Sequence, residues 1–146
     1  MKVEIKIDPA CAEPKIVVVT DKMTEEISAA VRRLSGETPW VLTGFKGDTL
    51  EILEQRGIIR IYTAAGKVIA ATDRGEYTLR QRLYELEEKL DKTSFVRISN
   101  CEIINLKKVS SFDLSLSGTV CVRLSDGNVT YVSRRCVAKI KQVLGL

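Results

Sequence analysis

The apolar and polar positions of the first 39 residues predict two strands and a helix. Residues 2–7 ("KVEIKI") alternate with a period of two, and residues 15–20 ("KIVVVT") form a continuous apolar run typical of a buried strand. Thr24 or Asp21 is the expected N-cap of the helix, and Gly36 its expected stop. The helical spacing itself rests on four residues, Ile27, Ala30, Val31 and Leu34. We therefore expect a β-β-α extension over residues 1–39, which could serve dimerisation or regulation.

From Trp40 onward the pattern changes to short alternating runs that end at turn residues. The runs "TLEILEQ", "GIIRIYT" and "KVIAAT" predict strands, and "YTLRQRLYELEEKL" predicts a helix with leucines along one face. Asp126-Gly127 lies between two further alternating runs and predicts a hairpin. Ser133 is the expected cap of a short closing helix. Residues 40–146 are thus predicted to form a mainly β domain with short helices, an α+β fold.

Length and composition favour an ordinary globular protein. The chain has 146 residues, of which 45% are hydrophobic and 29% charged, enough apolar material for a core without covalent staples. No apolar run approaches the ~18 residues that a membrane span requires. The start, "MKVEIKIDP", has no apolar signal-peptide region, so we expect a cytoplasmic protein.

The side chains that most enzymes and metal sites use are scarce. The chain contains no histidine, and its four cysteines (Cys11, Cys101, Cys121 and Cys136) have no metal-binding spacing. We expect reduced thiols in the cytosol, although oxidation of Cys101 or Cys136 could disturb a ligand bound beside them. No catalysis, cofactor or metal is expected.

Positive charge is concentrated near the C-terminus. Residues 92–146 hold nine Lys/Arg against three Asp/Glu, whereas residues 1–91 are nearly balanced. Such an excess is typical of phosphate-backbone binding, and the alternative is a solvated lysine-rich face.

The opening "KIVVVTD" followed by a helix is similar to the start of a response-regulator receiver. A receiver needs several more strand-helix repeats, which about 40 residues cannot supply. We therefore expect no receiver and no phosphorylation switch of that kind.

Two blocks, "TSFVRISNCEIINLKKV" and "LSGTVCVRLSDGNVTYVSRRCVAKIKQVLGL", resemble the LytTR DNA-binding domain of bacterial transcription regulators. The resemblance covers roughly residues 40–146 and rests on ordered features: aromatic-x-R-x-x-N, "INL", a "LSDG" hairpin and "SRR" before a helix. It implies an elongated β domain whose loops enter successive major grooves at direct-repeat sites.

The resemblance also implies base contacts. Asn100 and Arg135 fall on base-contacting positions, and a third contact is expected in the loop after the first domain strand. There this chain has "EQRG", so Gln55 or Arg56 would take that role. Arginine pairs with guanine and asparagine with adenine, each discriminating by roughly 1–3 kcal/mol.

Other polar residues fit phosphate contacts, which position a protein without specifying sequence. Asn105 could contact DNA or only satisfy a turn, Asn100 could form an Asx turn, and Arg97 could pair with Glu102. The expected phosphate contacts are Arg97, Ser99, Lys107, Lys108 and Arg134.

The sequence therefore predicts a transcription regulator that binds double-stranded DNA without catalysis. A homodimer through residues 1–39 would place two domains on a direct repeat, and the resemblance also admits a membrane-protein regulatory partner. The alternative is a protein-interaction module that binds an acidic or membrane partner. The two are distinguished by whether Arg97, Lys107, Arg134 and Arg135 line one face with Asn100 at its centre.

Overall fold

The structure is a computed structural model that describes residues 1–35, 40–115 and 118–146. It divides into two compact units, Met1–Pro39 and Trp40–Leu146. In the first unit, helix α1 spans Glu25–Ser35, with acidic residues in its first turn and arginines in its last. Thr24 caps it, because its hydroxyl oxygen accepts a hydrogen bond from the Ile27 N–H at 3.3 Å.

The two strands predicted before α1 are not formed. Residues 2–7 and 15–20 hold no strand, and their apolar side chains are largely exposed. A strand needs a hydrogen-bonding neighbour, and these segments have none within the described part of the chain. Within residues 1–35, the helix of the expected β-β-α extension is therefore present, and its two strands are absent from the single chain.

The described residues of the second unit, 40–115 and 118–146, form ten strands, two α-helices and two short 3-10 helices. Helix α2 spans Leu83–Lys89 and helix α3 spans Arg134–Val143. The strands are β1 Leu42–Lys46, β2 Thr49–Leu53, β3 Ile58–Ala64, β4 Lys67–Thr72, β5 Gly75–Leu79, β6 Phe95–Ser99, β7 Glu102–Asn105, β8 Val109–Asp113, β9 Val120–Leu124 and β10 Val129–Val132.

The strands form two antiparallel sheets. The larger has the order β2-β1-β5-β4-β3-β7-β6, and the smaller the order β10-β9-β8. The β3–β4 hairpin closes at Ala65 and Gly66, both with positive φ (52° and 76°), as a tight two-residue hairpin turn requires. The predicted hairpin at Asp126-Gly127 is confirmed, because it joins β9 and β10 and Gly127 has a φ of 89°.

The seven-stranded sheet carries apolar side chains on both faces. On β7, Ile103 packs in one cluster with Leu86 of α2, whereas its neighbour Ile104 packs in a second cluster with Val122 of the smaller sheet and Ile140 of α3. Successive strand residues point to opposite faces, so one strand serves both clusters. The central strands therefore read as nearly continuous apolar runs.

Two local expectations need correction. The helix predicted over residues 77–90 begins only at Leu83, because residues 75–79 form β5, in which Thr78 pairs with both Phe45 and Ile69. The four leucines of its stripe are nevertheless all buried in the α2 cluster. Ser133 does precede α3, but its hydroxyl makes no capping bond and is buried without a hydrogen-bond partner in the described structure.

A buried carboxylate connects the two sheets. Glu102, at the start of β7, accepts hydrogen bonds from the Arg60 guanidinium of β3 at 3.3 Å and from the Thr130 hydroxyl of β10 at 2.6 Å. The Glu102 and Arg60 side chains are only 11% and 19% exposed, so little solvent screens this pair. The sequence suggested an Arg97–Glu102 pair, which the structure replaces with Arg60.

None of the helices in the described ranges has the length and apolar character that a membrane span needs.

We expect Glu102→Ala to lower the free energy of unfolding by about 3 kcal/mol, because it leaves the Arg60 guanidinium buried without its partner. Urea unfolding followed by the fluorescence of Trp40, which is the single tryptophan and packs on the α2 cluster, would measure this. Glu54→Ala is the matched control, because it removes an exposed pair with Arg56 and should change stability little. Equal stability of the two variants would contradict a connecting role for Glu102.

Candidate nucleic-acid interface

Two residues 35 positions apart in the chain meet at an exposed point of the domain. Asn100 lies in the turn between β6 and β7, and Arg135 lies in the first turn of α3. An Arg135 guanidinium nitrogen (Nη2) donates a hydrogen bond to the Asn100 side-chain oxygen (Oδ1), and both residues are exposed. The backbone brings them together, because the Ser133 N–H donates to the Ile98 carbonyl at 2.8 Å.

Arg97 holds the turn that carries Asn100. Its guanidinium donates to the backbone carbonyls of Ser99 and Asn100, each at 2.7 Å, and to the Glu87 carboxylate of α2 at 2.9 Å. The Arg97 side chain is only 19% exposed. These contacts favour a structural role for Arg97 over the phosphate contact that the sequence predicted.

Ser99 and Arg134 differ in how available their side chains are for a phosphate contact. The Ser99 hydroxyl accepts a hydrogen bond from the Cys101 N–H at 3.1 Å, so it shapes the same turn. Arg134 opens α3 next to Arg135 and is exposed. A phosphate contact therefore remains a prediction for both residues. Arg134 is the more accessible candidate, because it is exposed, whereas the Ser99 hydroxyl is already hydrogen-bonded within its turn.

An open hollow beside Asn100 is lined by basic residues that sequence reasoning missed. Its walls include Lys67 at the end of the β3–β4 hairpin and Arg80 and Arg82 between β5 and α2, together with Arg97. Lys67, Arg80 and Arg82 are exposed. Arg80 and Arg82 lie in the segment that was predicted to be a helix. All three residues belong to residues 1–91, in which positive and negative charges nearly balance. Only the pairing of β3, β4 and β5 places them near Asn100.

The remaining candidates lie at the other end of β3. The β3 strand begins beside Asn105, whose amide donates to the Ile58 carbonyl at 2.8 Å, and ends beside Cys101, whose carbonyl accepts from the Thr63 N–H at 3.0 Å. Seven strand residues span roughly 20 Å. This distance separates the Asn100 turn from the segment that precedes β3.

Arg56 and two lysines form a second basic group at that end, which we call the Lys107 group: Arg56, Lys107 and Lys108. The "EQRG" loop follows β2, the second strand of the domain, and not the first strand as expected, because β1 was not recognised. Gln55 accepts a hydrogen bond from the Asp91 N–H at 3.0 Å, and Arg56 pairs with Glu54 at 2.9 Å. Arg56 is the more exposed of the two candidates.

Buried and charged neighbours fix the geometry around Lys107. Asn105 is 1% exposed, and its side-chain oxygen also accepts from the Lys107 N–H at 3.0 Å, so Asn105 satisfies a turn. The pKa of Asp91 lies below its ordinary value, mainly because the Thr93 hydroxyl and N–H donate hydrogen bonds to it, and Lys107 adds a smaller electrostatic effect. Lys107 thus lies near one carboxylate while remaining exposed.

The described residues contain no group of three or more His, Cys, Asp or Glu side chains that could hold a metal. All four cysteines are free thiols, with Cys101 exposed and Cys136 half-buried. Oxidation of either one remains a prediction.

Taken together, the fold and these exposed side chains define a β-rich domain that presents polar and basic loop residues suited to nucleic acid. The comparison with protein families identifies it further. Residues 48–145 match the family model of the LytTr DNA-binding domain. The chain therefore belongs to the LytTR family, whose members are DNA-binding transcription regulators and not a class of enzymes.

Two relatives and one solved structure agree with this assignment. Uncharacterized HTH-type transcriptional regulators from Staphylococcus aureus strains MSSA476 and NCTC 8325 are each 28% identical over 147 residues, covering 100% of this chain and 99% of theirs. A LytTr DNA-binding domain from Bacillus cereus superposes with a TM-score of 0.70 at 20% identity, covering 73% of this chain and 97% of that one. The last match confirms the predicted mainly β fold.

We expect Arg97→Ala to weaken binding to a cognate DNA site about tenfold, because the Asn100 turn loses its support. Titrations at several salt concentrations would show the loss with an unchanged salt slope, since a positioning residue neutralises no phosphate. In an Asn100→Ala background the same substitution should have little further effect.

Glu87→Gln is the matched control. It removes the negative charge that Arg97 contacts on α2, while the hydrogen bonds from Arg97 to the Ser99 and Asn100 carbonyls remain. A salt slope smaller by about 1 in Arg97→Ala would instead assign Arg97 to a phosphate.

Proposed function

We propose that this domain binds duplex DNA specifically in the major groove, with Asn100 and Arg135 reading bases. The observation that carries the proposal is the contact between these two exposed side chains, one from the β6–β7 turn and one from the first turn of helix α3. Arginine can donate two hydrogen bonds to guanine O6 and N7, and asparagine can pair with adenine N6 and N7. Two such side chains in contact suit adjacent base pairs.

The contact also supports preorganisation. An amide oxygen has two lone pairs, so Asn100 can accept from Arg135 and from a base while its NH₂ group donates. The remaining Arg135 N–H groups stay available for a guanine. Because the free protein already holds both side chains together, binding loses less conformational entropy than two independent loops would.

The surrounding charges suit the phosphate backbone. Lys67, Arg80 and Arg82 lie around the hollow beside Asn100, and Arg134 adjoins Arg135. The Lys107 group lies roughly 20 Å away along β3, a distance that corresponds to about six base-pair steps. We propose that this second group contacts the same duplex beyond the base-reading point, where a curved duplex would improve the fit.

The position of the Lys107 group helps to distinguish DNA binding from the alternative function, a protein-interaction module. Of the four basic residues expected around Asn100, Arg135 contacts it, Arg134 adjoins Arg135 and Arg97 supports its turn, whereas Lys107 lies at the opposite end of β3. Two basic groups at groove-scale separation favour an extended polyanion over a compact acidic protein. We also infer a homodimer, since direct-repeat sites offer two equivalent binding positions.

The test is binding of the purified protein to fluorescent fragments of its own upstream region. Asn100→Ala and Arg135→Ala should each lose about 1–3 kcal/mol of discrimination against mismatched bases. Asn128→Ala and Arg123→Ala are matched controls, because both residues are exposed near the β9–β10 hairpin, at the far end of β10 from Ser133.

Selective binding that survives in both Asn100→Ala and Arg135→Ala would contradict base reading by this pair. Weak, unselective binding by the wild type would favour the interaction module.

We expect Lys107→Ala to reduce the salt slope of binding by about 1 while preserving sequence preference, because a phosphate contact carries no base information. Fluorescence titrations at four or more salt concentrations would measure the slope. Lys22→Ala, which removes an exposed lysine from the N-terminal unit, should leave the slope unchanged. An unchanged slope in Lys107→Ala would exclude a phosphate contact there.

A further inference from the structure

We propose that residues 2–8 of two copies pair as antiparallel strands about a two-fold axis at Ile5. This pairing gives a physical basis to the homodimer of the proposed function and rests on it. The strand pattern predicted for these residues would then be correct for the assembled dimer and not for the single chain.

The segment has strand-like sequence and no neighbour. Val3, Ile5 and Ile7 are 87%, 89% and 88% exposed in the single chain. Water-exposed β-branched residues at alternating positions are the apolar face of a strand whose partner is missing. The backbone is already compatible with an extended form, since Lys2 and Glu4 lie on one side with 3.7 Å between Nζ and Oε1.

The charged face of this segment is complementary to itself. In an antiparallel pair centred on Ile5, opposite residue numbers sum to about ten. Lys2 then faces Asp8 of the second copy, and Glu4 faces Lys6. The two-fold symmetry repeats both contacts, so each cross-strand charge pair is attractive.

The apolar face is complementary in the same register. Val3 faces Ile7 of the second copy, and Ile5 faces Ile5 across the axis. All the apolar side chains therefore lie on one side of the ribbon and all the charges on the other, which is the arrangement of a half-buried antiparallel sheet.

Neighbouring registers lack this complementarity. Moving one strand by two residues in one direction places Lys2 against Lys6 and Glu4 against Glu4. The same shift in the other direction places Glu4 against Asp8 and Lys6 against Lys6. A one-residue shift brings apolar side chains to the charged side. Of these registers, only the one centred on Ile5 opposes every charged residue of the segment with a residue of opposite charge.

The residues that follow are suited to extend this ribbon. A turn begins at Asp8, whose carboxylate and backbone carbonyl accept from the Ala10 and Cys11 N–H groups, each at 3.0 Å. It leads to the second exposed apolar run, in which Val19 is 92% exposed. A two-stranded ribbon alone is marginal in water, so the run over residues 16–19 would add an outer strand on each side.

Paired charge reversals test the register. In Lys2→Glu/Lys6→Glu, every opposed charge becomes acidic, and in Glu4→Lys/Asp8→Asn, like-charged lysines oppose each other while asparagine keeps the turn acceptor. We expect each variant alone to raise the dimer dissociation constant at least about tenfold in sedimentation equilibrium at low salt. An equimolar mixture should restore association, because three of the four cross-strand pairs then combine opposite charges in the same register.

Lys22→Glu/Lys92→Glu is the control matched to Lys2→Glu/Lys6→Glu. It makes the same change in net charge at two exposed positions outside residues 2–8. It should associate like the wild type. Thermal unfolding monitored by circular dichroism should be alike for all variants at concentrations where they are monomeric.

The outcomes separate this inference from the proposed function. A monomeric wild type, unaltered association in either variant, or a mixture that stays monomeric would each overturn the pairing. Binding to a fragment with one repeat depends on the second unit and should be equal in all variants. A charge-dependent dimer that binds no DNA would refute the proposed function and leave the pairing intact.

Discussion

The geometry of the candidate site depends on how the small sheet is fixed to the large one. Glu102 receives Arg60 from β3 and Thr130 from β10, so one buried carboxylate links both sheets. Its charge is compensated by one cation and one hydroxyl, which makes its position specific. Glu102 lies two residues after Asn100, and Thr130 lies five residues before Arg135. Fixing this link therefore fixes the distance between the two exposed side chains.

The arginines of the domain serve two different purposes. Arg60 and Arg97 are mostly buried and donate hydrogen bonds inside the fold, Arg60 to Glu102 and Arg97 to three acceptors, whereas Arg134 and Arg135 are exposed at the start of α3. The planar guanidinium suits both purposes, because it can satisfy several carbonyls in a turn or two acceptors on a base edge. A count of positive charge cannot separate these roles, since burial and hydrogen bonding decide which cations face a ligand.

The helices in the described residues are separated by strands, so the site is not a helix-turn-helix. α2 and α3 are five strands apart in sequence. The first turn of α3 contributes Arg135, and the start of α2 lines the hollow beside Asn100. Loops held by a rigid sheet can present side chains with little entropy loss on binding. The N-terminal unit is then the candidate for regulation, because the apolar side chains of its two segments are exposed in the single chain.

The sequence alone determined the class of fold, the hairpin at Asp126-Gly127 and the apolar pattern of most central strands, because these follow from local periodicity and turn chemistry. It also singled out Asn100 and Arg135 through ordered motifs. It misjudged β5 as a helix, since residues 77–79 satisfy both periods and only their pairing with β1 and β4 decides.

Tertiary structure alone decided which charged groups meet. Pairing across 42 positions brings Arg60 to Glu102, and strand order places Lys67 near Asn100 while moving Lys107 to the opposite end of β3. Such contacts depend on register between strands far apart in sequence, and local patterns carry no information about that register. The strands predicted in residues 2–20 illustrate the same limit, because their pattern does not provide a neighbouring strand within the described part of the same chain.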